Sequence, residues 1–256
     1  MAFLWDGDMY SSVSDIQETI GNELLGRTKI SENDYVLDAG CGAGNITFKI
    51  AKMVKNGLVT GIDSSDSMIK KCNETIFIEK IQNVEFQVAD ITEITYINRY
   101  DIVFSNSVFH WIRDSRKALE LLFRALKSTG SISIQFPLLN NNHPLVHFAN
   151  QVIAELGIEA FYVDWRFPWY VPIKQDFESI MLDTGFRNVV LKEVSKTFKF
   201  ESANQIYAFF DSVGLQLYLD SLKKDEAELF RTTLLKLINE SKHELAFERL
   251  FAFAHK

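Results

Sequence analysis

The alternation of short strand patterns with longer helical patterns between Tyr35 and Phe136 most constrains the fold of this chain. Short runs rich in β-branched and aromatic residues predict strands, and the amphipathic runs between them predict helices. Elements that alternate in this way fold as βαβ units around a parallel sheet. The predicted strands are 35–40, 57–63, 84–90, 101–106 and 131–136, and the predicted helices are 46–54, 67–77 and 117–127. We interpret Gly130 as the stop of the third of these helices.

The pattern changes after Pro137, where a stretch rich in aromatic residues over 161–170 predicts an insertion. A helix near 176–183, a strand over 189–194 and a closing strand over 244–254 then resume the fold. Because neither a linker composition nor an internal repeat divides the chain, we expect one domain over 1–256. Its expected parts are N-terminal cap helices (1–30), a cofactor-binding core (31–137), a lid or acceptor insertion (138–185) and C-terminal strands and helices (186–256).

Composition excludes several classes of function. The net charge of -7 gives no broad positive field, so we expect no nucleic-acid partner. No apolar run is long enough for a membrane span, and the first residues lack the basic region of a secretion signal, so we expect a cytoplasmic protein without a membrane partner. Cys41 and Cys72 are too few for a disulfide framework or a zinc site, and no metal is expected. Composition leaves monomer and dimer both open.

Three alternate glycines, Gly40, Gly42 and Gly44, follow the first predicted strand and precede a helix. Glycine permits positive φ and has no Cβ, so a ligand can lie directly against such a turn. In the dinucleotide-binding fingerprint, the third glycine comes three positions after the second, whereas here it comes two positions after. This spacing disfavours an NAD-dependent oxidoreductase. On its own, the motif is equally compatible with a purely structural turn.

Acidic residues at the ends of the next two strands add to the glycine turn. Asp63 ends the second predicted strand, where a carboxylate can accept hydrogen bonds from both hydroxyls of a ribose, and Asp90 ends the third. Together and in this order, the three features resemble the cofactor motifs of class I S-adenosylmethionine-dependent methyltransferases. The resemblance implies a Rossmann-like, mostly parallel α/β sheet of seven strands, with helices on both faces and the last strand antiparallel.

The resemblance also implies a set of residues that bind S-adenosylmethionine. Asp38 and Gly40 are expected near the methionyl part, Asp63 at the ribose, and Asp90 with Ile91 at the adenine. The full set is Asp38, Gly40, Cys41, Gly42, Gly44, Asp63, Ser64, Met68, Asp90, Ile91, Asn106, Ser107 and Phe109.

Several further segments resemble the trans-aconitate methyltransferases and related enzymes that methylate small carboxylic acids. These are the N-terminal segment that contains Trp5, the segment 106–114 and the tail 249–252. The resemblance implies a small-molecule acceptor, and Arg166 in the aromatic insertion is a candidate clamp for its carboxylate. The predicted acceptor-binding residues are Trp5, Tyr10, Gln17, His110, Trp111, Trp165 and Arg166.

Carboxylate methylation requires no catalytic base, because an acid with a pKa of about 4 is already ionised at neutral pH. His110 becomes a candidate base if the acceptor is a hydroxyl or a carbon acid. Two alternatives stay open. One is a malonyl-carrier-protein O-methyltransferase, because such enzymes share the segment after the fourth strand in related form. The other is a protein that binds S-adenosylmethionine without catalysis.

Overall fold

The computed structural model describes residues 18–138, 143–165 and 169–256. Its strands are β1 (Tyr35–Ala39), β2 (Leu58–Asp63), β3 (Val84–Val88), β4 (Tyr100–Asn106), β5 (Leu126–Pro137), β6 (Arg187–Lys199) and β7 (Glu244–His255). They form one sheet in the order β3-β2-β1-β4-β5-β7-β6. The strands β1 to β5 pair in parallel, and β7 pairs with β5 in the antiparallel sense. This topology confirms the seven-stranded, mostly parallel sheet with an antiparallel last strand.

Residues 18–27 are helical and are named α1. The other helices are α2 (Asn45–Met53), α3 (Asp66–Glu79), α4 (Ser115–Ala125), α5 (Pro144–Leu156), α6 (Lys174–Thr184), α7 (Ala203–Phe210), α8 (Gln216–Leu219) and α9 (Lys224–Asn239). Side chains at the N-caps explain where two of them begin, since they satisfy backbone N–H groups that have no partner within the helix. Ser65 accepts a hydrogen bond from Met68 N at the start of α3, and Asp114 accepts one from Lys117 N at the start of α4. None of the helices in the described ranges is long and apolar enough to cross a membrane.

The interpretation of Gly130 as a helix stop was wrong. The helix α4 already ends at Ala125, and Gly130 lies inside β5. A Cβ on Gly130 would lie 3.0 Å from the carbonyl oxygen of Lys127 and 3.1 Å from that of Asp101. This glycine therefore allows a close approach of backbone within the sheet, which is the other common reason for a glycine in a strand.

The chain divides into two compact units, and the larger one holds most of the sheet. It comprises Glu18–Pro137, Tyr170–Val194 and Arg249–Lys256. Buried apolar side chains from β1, β2, β4 and α2 form its core, with Val36, Val59, Phe104 and Ile50 fully enclosed. This packing holds the carboxyl ends of the parallel strands at one edge of the sheet, where ligands bind in open α/β folds.

The second unit contains Leu138–Trp169 and Ser195–Glu248, apart from the residues that the structure does not describe. Its helices α5 and α9 pack against each other. Aromatic side chains fill its interior, with Phe148 and Phe210 rings 5.8 Å apart. The ring of Trp165 lies 4.6 Å from that of Tyr218, so part of the aromatic insertion packs within this unit.

Candidate functional site

The glycine turn between β1 and α2 adopts the backbone conformation that its residues favour. Gly40, Gly42 and Gly44 all have positive φ, at 83°, 54° and 82°. A Cβ on Gly40 would lie 2.2 Å from Val108, whereas a Cβ on Gly42 would meet nothing within 4 Å. The turn is therefore closely packed at its first glycine and open at its second. A ligand can approach the backbone at Gly42 without meeting a side chain.

Sulfur atoms pack beneath the same turn. The thiol of Cys72 on α3 donates to the carbonyl oxygen of Gly42 at 3.3 Å, and the thiol of Cys41 lies 3.7 Å from that oxygen. The backbone N–H of Cys41 donates to Ile62 O at 2.9 Å. These contacts hold the turn against the end of β2.

Asp38 lies near the end of β1 and is buried, with only 2% of its surface exposed. Its Oδ2 accepts a hydrogen bond from the hydroxyl of Thr47 on α2 at 2.6 Å. Among the described residues, no cation lies within salt-bridge distance of this carboxyl group. Burial raises the pKa of Asp38 to about 7, and the Thr47 hydrogen bond opposes this shift while the charge of Asp63 adds to it. The site therefore contains a carboxyl group poised between its two protonation states.

Asp63 ends β2 and points toward the glycine turn. Its Oδ2 accepts from the N–H of Gly42, and its Oδ1 accepts from the N–H of Ser65, both at 2.9 Å. A carboxylate offers about four lone-pair positions, so two of them stay available to a ligand. The structure thus brings Asp38, Asp63 and the open glycine together.

The residues predicted at the adenine lie around the ends of β2 and β3. Ile91 is buried, while Ser64, Met68 and Asp90 are exposed. Asp90 Oδ1 accepts from both the backbone N–H and the hydroxyl of Thr92, at 2.7 and 2.8 Å. Asp90 therefore stabilises the turn after β3 through one oxygen.

The segment after β4 packs on the glycine turn through Val108, as described above. Ser107 has a φ of 60°, a left-handed conformation that is uncommon outside glycine. Phe109 is fully buried, and its ring lies 5.5 Å from that of Phe177. His110 is also buried, whereas Trp111 has 50% of its surface exposed.

The other predicted acceptor-binding residues belong to the second compact unit or to the part of the chain that the structure does not describe. Trp165 lies in the second compact unit, described above. Trp5, Tyr10, Gln17 and Arg166 lie outside the described residues.

Three polar residues near this edge were not among the predicted site residues. One is Thr47, which holds Asp38. The others are Arg249 on β7 and Gln135 on β5, which are both buried and hydrogen-bonded to each other. An arginine within the apolar strand pattern of 245–254 was the available signal for this pair, since charged residues are seldom buried without a specific role.

Comparison with known proteins identifies the family of this chain. A family model described as a methyltransferase domain matches residues 30–162, more than half of the chain. The chain therefore belongs to the methyltransferase domain family. Its fold is that of the class I S-adenosylmethionine-dependent methyltransferases, which confirms the resemblance seen in the sequence.

Similar proteins include a protein of Invertebrate iridescent virus 6 that bears the name methyltransferase 235L. It is 28% identical over 231 residues, which cover 90% of this chain and 84% of the viral protein. The trans-aconitate 2-methyltransferase of Agrobacterium fabrum is 25% identical over 98% of this chain and 99% of its own length. A phosphoethanolamine N-methyltransferase of Haemonchus contortus, solved with S-adenosylhomocysteine, has a TM-score of 0.59 at 20% identity, covering 92% of this chain and 52% of that protein.

Proposed function

We propose that this methyltransferase transfers the methyl group of S-adenosylmethionine to a carboxylate oxygen of a small acid. The observation that carries the proposal is the arrangement of Asp38 and Asp63 beside a glycine turn that is open at Gly42. The finer assignment of the acceptor is supported by the trans-aconitate 2-methyltransferases, which are similar over nearly the whole chain.

The residues at this edge fit the chemistry of the cofactor. Its sulfonium and ammonium groups are cationic, and Asp38 is a buried acid without a cation among the described residues. Burial of a charge is unfavourable unless the charge is paired, so a cationic ligand stabilises the ionised form of Asp38. Asp63 retains lone pairs for ribose hydroxyls, and the missing Cβ of Gly42 gives the ligand room.

When bound, S-adenosylmethionine supplies a methyl carbon that is activated by the adjacent positive sulfur. The acceptor's carboxylate oxygen forms the new bond to carbon while the carbon–sulfur bond breaks and its electron pair stays on sulfur. The products are a methyl ester and a neutral thioether. No proton moves, so no residue of this chain must act as a base.

The contribution of the chain in this proposal is to bind and align. The contacts of Asp38, Asp63 and the glycine turn fix the donor, and the segment after β4 borders the acceptor. Holding two reactants in line can supply about 7 kcal/mol or more of the barrier. Opposite charges of the reactants cancel in the transition state, so exclusion of water by the site also favours the reaction.

The test is incubation of the protein with methyl-labelled S-adenosylmethionine and a panel of acids, alcohols and amines, followed by mass analysis. We expect labelled methyl esters and an equal amount of S-adenosylhomocysteine. Methylated hydroxyls or amines without any ester would contradict the carboxylate assignment and give His110 a role as base.

Measurements of binding and of product formation together distinguish the remaining alternatives. In calorimetric titration, S-adenosylmethionine should bind and NAD should not. Ester formation on a malonyl carrier protein but on no free acid would favour the carrier-protein alternative. Binding of the cofactor with no product from any acceptor would favour a non-catalytic role.

A further inference from the structure

Arg249 is a buried cation at the ligand-binding edge of the sheet. It lies on β7 opposite Pro137, the last residue of β5, so it sits at the carboxyl end of the parallel strands. Only 9% of its surface is exposed. Its Nη2 donates to the hydroxyl of Ser107 at 2.6 Å and to Oε1 of Gln135.

Both of these partners are neutral. No carboxylate oxygen of the described residues lies within 4.0 Å of the Arg249 guanidinium. Burial lowers the pKa of Arg249 to about 9, which leaves the group protonated at neutral pH. Buried charges in proteins are normally paired, because an unpaired one is costly. The strand β7 therefore holds a positive charge that no carboxylate of the described residues neutralises.

Hydrogen bonds connect this charge to the segment that borders the acceptor in the proposed function. The Gln135 amide satisfies both of its polar atoms when Oε1 accepts from Arg249 and Nε2 donates to Asn106 Oδ1 at 2.9 Å. Ser107, the next residue, is held by Arg249 directly and by its own N–H, which donates to Gln135 O at 2.7 Å. Within the described ranges, nothing accepts a hydrogen bond from Arg249 Nη1. The guanidinium thus has donors left for an incoming anion.

We propose that Arg249 binds a carboxylate of the acceptor other than the one that is methylated, so that the acceptor is a di- or tricarboxylic acid. This inference rests on the proposed function. A carboxylate held by a guanidinium has its lone pairs engaged in strong hydrogen bonds, which makes it a weaker nucleophile. The bound carboxylate therefore anchors the acceptor, and a second, unpaired carboxylate reacts.

The experiment compares three acids with a similar unsaturated skeleton and decreasing charge. They are trans-aconitate with three carboxylates, trans-glutaconate with two and crotonate with one. The wild-type protein should show a markedly higher kcat/KM with the first two acids than with crotonate. In Arg249→Met, KM for the first two acids should rise about ten- to hundredfold, the usual range for loss of a charge-assisted hydrogen bond. Activity with crotonate should fall by a much smaller factor, set only by loss of the Arg249 hydrogen bonds to Ser107 and Gln135, since crotonate has no second carboxylate to lose.

Two further variants keep the test independent of folding. Arg249→Lys retains the charge but not the planar fork of donors, so it should restore part of the affinity. Arg116→Met removes the same charge at an exposed position on α4, where Arg116 pairs with Asp183, and it should leave KM unchanged. Affinity for S-adenosylhomocysteine reports whether each variant retains a folded cofactor site.

Binding of trans-aconitate to the protein saturated with S-adenosylhomocysteine provides a readout that does not depend on turnover. We expect this binding to weaken in Arg249→Met by the same factor as KM. If the wild-type protein binds trans-aconitate through Arg249 but esterifies no acid, the proposed function is wrong, and Arg249 is still a carboxylate-binding residue. If esters form but crotonate is as good a substrate as trans-aconitate, or Arg249→Met lowers kcat equally for all three acids, the anchor is overturned.

Discussion

The ligand-binding edge of the sheet holds two buried ionisable groups of opposite charge, Asp38 on β1 and Arg249 on β7. We call their surroundings the β1 half and the β7 half, and the two differ in how far the sequence alone reveals them. On β1, Asp38 is a carboxyl group that no cation of the described residues neutralises, and one hydroxyl holds it. On β7, Arg249 is a guanidinium that no carboxylate of the described residues neutralises, and a hydroxyl and an amide hold it. In the proposed function, the cationic methyl donor lies near Asp38 and the anionic acceptor near Arg249. Each ligand then completes an ion pair that the described residues leave incomplete.

The largest expected effect tests the β1 half alone. Asp38→Asn keeps the size of the side chain but removes its negative charge, so affinity for S-adenosylmethionine should fall about a hundredfold. Calorimetric titration measures this loss. Binding of trans-aconitate to an Asp38→Asn sample saturated with S-adenosylhomocysteine should be retained, because Arg249 is three strands away in the sheet order β1-β4-β5-β7. If affinity for S-adenosylmethionine and affinity for trans-aconitate fell equally, the two halves would not bind their ligands independently.

The same variant should stabilise the protein in the absence of ligand. The folded pKa of Asp38, about 7, is above its ordinary value of 3.8, so its contribution to stability is present below pH 3.8 and is lost as pH rises through 7. Asp38→Asn lacks this loss and should unfold with a higher free energy at pH 8, by up to about 4 kcal/mol. Urea denaturation at pH 5 and pH 8 measures the difference, which should shrink at pH 5. Asp183→Asn, at an exposed ion pair, is the control and should change stability by less than about 1 kcal/mol.

A substitution at Gly42 tests whether S-adenosylmethionine lies on the open side of the turn. Gly42→Ala adds a methyl group to open space at a φ of 54°, so backbone strain of about 1 kcal/mol is expected. If the cofactor occupies that space, its affinity should fall about thirtyfold, in line with overpacking by one methyl group. Gly157→Ala is a matched control, since Gly157 also has a positive φ, of 63°, and nothing within 4 Å of its Cβ position. An equal loss of cofactor affinity in both variants would mean that strain, not contact, is responsible.

Local patterns in the sequence were sufficient to predict the β1 half. Strand, turn and helix follow one another directly, and the distinctive glycine spacing belongs to the same ten residues as Asp38. The parallel strands β1 to β5 were recognised for a similar reason, because each contains a short run rich in β-branched and aromatic residues. The role of Gly130 was predicted wrongly because the sequence alone does not distinguish two kinds of glycine. One ends a helix, and the other lies in a strand where backbone atoms of a neighbouring segment approach closely.

The β7 half depends on contacts that no local pattern contains. Arg249 meets Ser107 across 142 positions of the chain, and this contact exists only because β7 pairs with β5 in one particular register. The closing strand was predicted, but its register against β5 was not. Arg249 lies at the ligand-binding edge only because of that register. Its pairing with Gln135 could therefore be identified only from the structure.

The pH dependence of donor binding should distinguish the two charges further. In the free protein Asp38 has a pKa of about 7, and a bound ammonium or sulfonium group favours its ionised form. Binding therefore releases a proton, and Kd for S-adenosylmethionine should rise about tenfold as pH falls from 8 to 6. Calorimetry in two buffers of different ionisation enthalpy measures both Kd and the released proton. Arg249 stays protonated throughout this range, so a comparable dependence for trans-aconitate binding would contradict the assignment.

The smallest expected effect concerns the one hydrogen bond that holds Asp38. Thr47→Val keeps the shape of the side chain but removes the hydroxyl, whose hydrogen bond lowers the pKa of Asp38. Without it, less of the carboxyl group is ionised at neutral pH, and affinity for S-adenosylmethionine at pH 7 should fall about threefold. The loss should vanish above pH 8, where Asp38 is ionised in both proteins, and this recovery separates a pKa effect from damage to packing. Thr75→Val is the matched control, because Thr75 is a half-buried helical threonine on α3 whose hydroxyl bonds only to the backbone of Lys71 among the described residues. A threefold loss that persists at pH 9 would show that Thr47 acts through the shape of the site rather than through the charge of Asp38.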